Sequence, residues 1–164
     1  MGGGVAKNEI PDGPLDIGWF LSPNTVGNDA VSSIKLAPGK AALLYKDNLE
    51  GKQFLLENSH NCLVGTEWND SISGMVVFDS SSVVSFYKDC NYTGGGIKLG
   101  TGDYTPKMLS GMEDQISSIR VPAGRTVTVW TNGDFNGPST SYTSDVACLH
   151  PGTFNDSISA IRIS

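Results

Sequence analysis

Four short stretches of the chain alternate large apolar residues with polar ones, and each follows the same kind of turn. Ile34 and Leu36, Met75 and Val77, Ile119 and Val121, and Ile161 and Ile163 stand at two-residue steps, the period of a strand with one face buried. Lys35, Arg120 and Arg162 fall on the outward side. The preceding turns read Asn28-Asp29-Ala30-Val31-Ser32, Asn69-Asp70-Ser71-Ile72-Ser73, Glu113-Asp114-Gln115-Ile116-Ser117 and Asn155-Asp156-Ser157-Ile158-Ser159. A β-branched apolar residue always holds the fourth place and serine the fifth. The serines are 41, 44 and 42 residues apart, a regular internal repeat. One such turn is ordinary backbone-satisfying chemistry. Four in one register indicate a shared purpose.

The same alternation predicts strands over Ala41–Lys46, Val83–Lys88 and Thr126–Trp130, each opening a repeat. In the first repeat the opening strand falls near Val5, a turn covers Asn8–Gly13, and Ile17–Leu21 reads as a strand. Pro11 and Pro14 place any strand there at an edge. Similar connectors, Ala37-Pro38-Gly39-Lys40 and Pro122-Ala123-Gly124-Arg125, join the first repeat to the second and the third to the fourth. The different linker Phe78-Asp79-Ser80-Ser81-Ser82 lies between the pairs. The repeats therefore group two by two, giving domains at 1–80 and 83–164, with the first repeat degenerate.

A second signature opens the later repeats. Tyr87-Lys88-Asp89-Cys90-Asn91-Tyr92-Thr93-Gly94 and Trp130-Thr131-Asn132-Gly133-Asp134-Phe135-Asn136-Gly137 share an aromatic, four residues, an aromatic, one residue and glycine. Glycine there suits a hairpin folded sharply back on itself, where positive φ is required. About four strands in some 40 residues are the proportions of a Greek key.

Composition narrows the function classes. A chain of 164 residues with 20 glycines and 17% charged residues suits a turn-rich all-β protein. A net charge of −6 argues against nucleic acid as a partner, because phosphate binding needs a basic face. No stretch approaches a membrane span, and Ala6 stands where a myristoylation motif wants Ser or Thr. Without a secretory signal at the N-terminus, a cytoplasmic location is expected. Cys62, Cys90 and Cys148 are too few and too scattered for a disulfide framework or a zinc site. Free thiols in a reducing compartment are expected instead. His60 and His150 lack metal-ligand spacing, and no nucleophile elbow, triad or phosphate loop is present. Enzymatic activity is therefore not expected. Trp68, Met112 and Phe154, each directly ahead of a turn, are expected as core plugs.

These paired motifs resemble those of the βγ-crystallin superfamily: the Tyr/Phe/Trp-x4-Tyr/Phe-x-Gly hairpin and the Asn/Asp-Asn/Asp-x-x-Ser/Thr-Ser calcium motif. The resemblance covers nearly the whole chain and is closer to the calcium-binding microbial and invertebrate members than to lens proteins. It implies an all-β fold of two β-sandwich domains, each of two Greek keys. It also implies a calcium-binding structural or stress-related protein with up to two Ca2+ per domain, monomeric or weakly self-associating through domain pairing.

In that family two motifs exchange ligands to complete the six to eight oxygens that calcium takes. Carried over, the ligand candidates are Asn28, Asp29 and Ser32 with Asn69, Asp70 and Ser73 in the first domain. In the second they are Glu113, Asp114 and Ser117 with Asn155, Asp156 and Ser159. This sequence departs from the pattern at Glu113, at Gly74 and Ala160 in place of the sixth-position serine, and at Tyr45–Gly51, one residue short of the hairpin signature. The first repeat has no recognisable hairpin. A different class is an interaction module, lectin-like or protease-inhibitor-like, on the same sandwich. A β-trefoil lectin is a third arrangement, against which the fourth motif and the two-by-two connectors argue.

Overall fold

The structure is a computed structural model that describes residues 13–16 as backbone, together with 31–47 and 49–164. The chain divides into two compact units at Ser80/Ser81. In the first, β1 (Gly13–Asp16), β2 (Lys40–Asp47), β3 (Glu50–Leu56) and β4 (Gly74–Asp79) form one antiparallel sheet in the order β1-β4-β2-β3. In the second, β5 (Val84–Asp89), β6 (Thr93–Leu99) and β8 (Ser118–Arg120) form a sheet in the order β6-β5-β8. A second sheet there joins β7 (Gly102–Tyr104), β9 (Val127–Trp130), β10 (Ser139–Tyr142) and β11 (Ala160–Ile163) in the order β10-β9-β11-β7.

The topology explains why repeats pair. Within residues 81–164 each repeat sends one segment to the other's sheet. β7 leaves its own repeat to pair with β11, and Val146 of the fourth repeat bridges Ile119 of the third. The first unit does the same: β1 pairs with β4, and His60 bridges Ile34. Among the described residues each sheet gains a strand or a bridge from the other repeat of its unit. The result is an all-β fold of β-sandwich units, each built from two Greek keys.

Alternation places the apolar residues as expected in the second unit. Ile119, Ile161 and Ile163 are buried, while Arg120 and Arg162 are exposed. The Arg162 guanidinium holds Asp103 of β7 through Nε and Nη2 at 2.6 and 2.7 Å, and this pairing lowers the Asp103 carboxyl below its ordinary range. Beside it, burial raises the Tyr104 hydroxyl well above its usual value, and the hydroxyl donates to the Gly100 carbonyl at 3.0 Å.

Three expectations require correction. Gly13 opens β1 instead of closing a turn, because the Gly13–Asp16 backbone is paired along β4. Pro14 nonetheless lies on an edge strand, where a missing donor is tolerated. Ile34–Leu36 makes a single bridge to His60, not a strand, since the Leu36 N–H donates to the Ser59 side chain and not to a facing backbone carbonyl. Met75–Phe78 is buried on both faces, as its unbroken apolar run should have indicated. Val5 and Ile17–Leu21 lie outside the described residues.

The aromatic hairpins carry the predicted glycine geometry. Gly94 and Gly137 both adopt φ of +79°, and Gly51 of the shortened hairpin adopts +70°. A Cβ on Gly137 would lie 2.7 Å from Asn132 Nδ2, and one on Gly94 2.3 Å from Asp89 Oδ2. Gly137→Ala is therefore expected to destabilise the second unit by about 1–3 kcal/mol through backbone strain and crowding. Denaturant unfolding checks this; an unchanged midpoint would contradict it.

Candidate metal centre

Each clamp is assembled from two directions. Asp70, Asp114 and Asp156, second in their motifs, adopt left-handed φ of 51°, 50° and 49°. Asp tolerates this conformation because its short carboxylate bonds locally. Each of these residues is then docked on the opposite repeat by its backbone. Asp70 N donates to Val31 O, Asp114 N to Ile158 O and Asp156 N to Ile116 O, at 3.0–3.3 Å. The serines are fixed from their own strands. Ser73, Ser117 and Ser159 donate their N–H groups to Tyr45, Tyr87 and Trp130 carbonyls at the hairpin bases. All three are buried.

The side chains meet across repeats. Ser117 Oγ donates to Asp156 Oδ1 at 3.0 Å, and Ser159 Oγ to Asp114 Oδ1 at 3.1 Å. In the first unit Ser32 Oγ donates to Asp70 Oδ1 at 3.3 Å. Asn28 and Asp29 lie outside the described residues. Three of the four predicted serines are thus each paired with the second-position acid of the other motif.

The first-position residues differ in a way that bears on cation binding. Asn69 and Asn155 each donate Nδ2 to the Oδ2 of the following aspartate, at 2.8 and 2.6 Å. Their own Oδ1 atoms are buried without a hydrogen-bond partner. A buried acceptor left unpaired costs roughly 1–3 kcal/mol unless a donor or cation satisfies it. Glu113 has no amide and is exposed.

The donor set is all oxygen. Among the described residues no group of three or more His, Cys, Asp or Glu side chains is placed to hold a metal ion. The described clamps instead pair a carboxylate with a hydroxyl, joined by the unpaired amide oxygen at Asn69 and Asn155, which is hard-cation chemistry. Adjacent oxygens on one calcium ion lie about 3 Å apart when the metal–oxygen distances are near 2.4 Å. The Ser–Asp separations fit that spacing.

The surroundings include features that sequence reasoning missed. Cys90 and Cys148 form a disulfide with a Cα separation of 4.5 Å. The free-thiol expectation therefore holds for Cys62 alone, which is exposed. The two half-cystines are 58 residues apart, and only the exchange of segments between repeats brings them together. They flank the clamp: Leu149 N donates to Ser117 O at 2.7 Å, and Asn91 N to Ala147 O. Cys62 holds the matching place in the first unit, since Leu63 N donates to Ser32 O at 2.7 Å.

The sixth-position departure also has a cause. Ser118 Oγ accepts from Tyr92 N and donates to Asp89 O, pinning the hairpin. In the shortened second hairpin Leu49 takes the place of Tyr92, and its N would lie 2.5 Å from a Cβ on residue 74. Glycine is required there. Of the predicted core plugs, Trp68 and Met112 are buried and Phe154 is half-buried.

The chain is similar to several known proteins. Development-specific protein S of Myxococcus xanthus is 30% identical over 145 residues, covering 85% of this chain and 81% of that protein. The chain belongs to the βγ-crystallin superfamily. A βγ-crystallin domain from Flavobacterium johnsoniae is 40% identical, with a TM-score of 0.48, over 50% of this chain and 93% of its own. One from Clostridium beijerinckii is 36% identical, with a TM-score of 0.47, over 49% of this chain and 95% of its own. The sequence model of peptidase inhibitor family I36 matches residues 86–142. Among the described residues no helix is long and apolar enough to cross a membrane.

Proposed function

We propose that this protein binds calcium through clamps exchanged between paired repeats, and that the bound ion stabilises each βγ-crystallin unit, a structural or stress-related role. The observation that carries the reading is the crossing of serine and aspartate between repeats beside buried, unpaired Asn oxygens. The residues that would hold the ion in residues 81–164 are Asp114 with Ser159 and Asp156 with Ser117, aided by Glu113 and Asn155. In the first unit they are Asp70 with Ser32 and Asn69, and Ser73 with Asn28 and Asp29. The cation would supply positive charge to carboxylates that otherwise accept from a serine hydroxyl and, at Asp70 and Asp156, from a neighbouring amide. The serines orient the acids, and each acid's left-handed turn is docked on the opposite repeat by its backbone N–H.

Few carboxylates per clamp imply dissociation constants on the order of 10⁻⁶ to 10⁻⁴ M. Folding does not depend on the ion, because each unit has its own apolar core. A ligand bound only by the native state adds RT ln(1 + [L]/Kd), about 2.7 kcal/mol at a hundredfold excess over Kd. Isothermal titration of chelator-stripped protein is expected to show binding in this range, with thermal unfolding shifted upward by calcium. Absence of binding by a folded sample overturns the proposal.

A second reading rests on one observation, the peptidase-inhibitor match over residues 86–142. In it the second unit is an interaction module in which calcium serves only stability. Inhibition of a peptidase panel by both calcium-loaded and stripped protein would support that reading over the first.

A further inference from the structure

We propose that Glu113 makes the two clamps of residues 81–164 unequal, with the Asp114/Ser159 clamp the tighter and the Asp156/Ser117 clamp the weaker. The inference rests on the calcium reading above and concerns the affinity of those same sites. Three observations carry it. The backbone frames of the two clamps match: Asp114 and Asp156 share a left-handed φ, and each donates its N–H to the fourth residue of the opposite motif. Their Ser–Asp contacts are also alike, at 3.1 and 3.0 Å. The first-position side chain is where they diverge.

At the Asp156 clamp, Asn155 Nδ2 donates to Asp156 Oδ2 at 2.6 Å. One oxygen of the only acid contributed by that motif's Asn-Asp pair is thereby occupied, and part of its charge is offset. The same arrangement recurs in the second repeat, where Asn69 Nδ2 donates to Asp70 Oδ2. At the Asp114 clamp the neighbour is a carboxylate and cannot donate. Glu113 is exposed and takes part in no hydrogen bond or ion pair among the described residues. Two adjacent like charges repel, and a divalent cation relieves that repulsion. The Asp114 clamp therefore offers two carboxylates, neither engaged by a neighbouring amide, against one for its twin. Affinity in oxygen-ligated calcium sites rises with ligand charge. An extra unit charge within several ångströms of a divalent ion, partly screened by water, changes affinity by about tenfold.

Calcium titration of the full chain tests this, with Asp114→Asn and Asp156→Asn used to assign the two sites. In the wild type, Asp114→Asn should remove the tighter site and Asp156→Asn the weaker. Glu113→Gln should weaken the tighter site about tenfold and leave the other within twofold. The gap between the sites should narrow as salt is raised, because it arises from an exposed charge. Glu113→Asn should make the two sites alike, since it restores the amide found at positions 69 and 155. Two equal sites in the wild type, or an unchanged Glu113→Gln variant, overturn the proposal while leaving calcium binding intact. No binding by the folded wild type overturns the calcium reading and this proposal with it.

Discussion

Replacing Cys90 and Cys148 together by alanine is expected to lower the stability of the second unit by about 4 kcal/mol. The disulfide spans 58 residues, and closing a loop of that length removes roughly this much chain entropy from the unfolded state. The bond also fastens the hairpin after β5 to the segment that holds Ser117 through Leu149, so its loss loosens both flanks of the clamp. Denaturant unfolding followed by Trp130 fluorescence, in a Cys62→Ser background that prevents thiol exchange, measures the effect. The transition of the first unit should not move. A change below about 1 kcal/mol in the second would mean that the cross-link adds little to a core already closed by exchanged segments.

Ser117→Arg is expected to cost the second unit at least one calcium site, with affinity falling about a hundredfold or more. The variant removes the hydroxyl that meets Asp156 Oδ1 and sets a permanent cation where a divalent ion would bind. Few carboxylates are present to offset it, and a charge at contact range is worth several kcal/mol even when partly screened. The neighbouring Asp114/Ser159 clamp should weaken as well, because Asp114 stands in the same turn as Ser117, where the new cation is placed. Both clamps of the first unit should bind as before. Ile116, Ile119 and Val121 are untouched, so circular dichroism should report an unchanged fold. Unchanged stoichiometry and affinity would make Ser117 a turn residue only.

Much of this architecture was legible in the chain because the repeat is local. A five-residue turn followed by alternating apolar positions needs no long-range information, and Ile119, Ile161 and Ile163 fall on the buried face accordingly. The glycines of the aromatic hairpins were legible for the same reason: their φ is set within the hairpin. What stayed hidden depends on partners far apart in sequence. The Cys90–Cys148 pair has no telling spacing; it forms where the 146–149 segment of the fourth repeat pairs with Ile119, Ser117 and Asn91 of the third. Gly74 stands out in the sequence only as a departure from the motif, because the need for it lies in Leu49, on a hairpin shortened by one residue. Gly13 was misplaced because edge pairing with β4, not its turn chemistry, decides its conformation.

The central claim is that each calcium site takes its serine from one repeat and its aspartate from the other. Counting sites in two double variants by isothermal calcium titration tests it most directly. Ser117→Ala with Asp156→Asn alters two repeats but a single exchanged clamp, so the second unit should keep its Asp114/Ser159 site. Ser117→Ala with Asp114→Asn alters one repeat but both clamps, so the second unit should lose both sites. The reverse outcome, two sites lost in the first variant and one in the second, would show that each repeat binds its own ion and that the exchange is not the basis of binding.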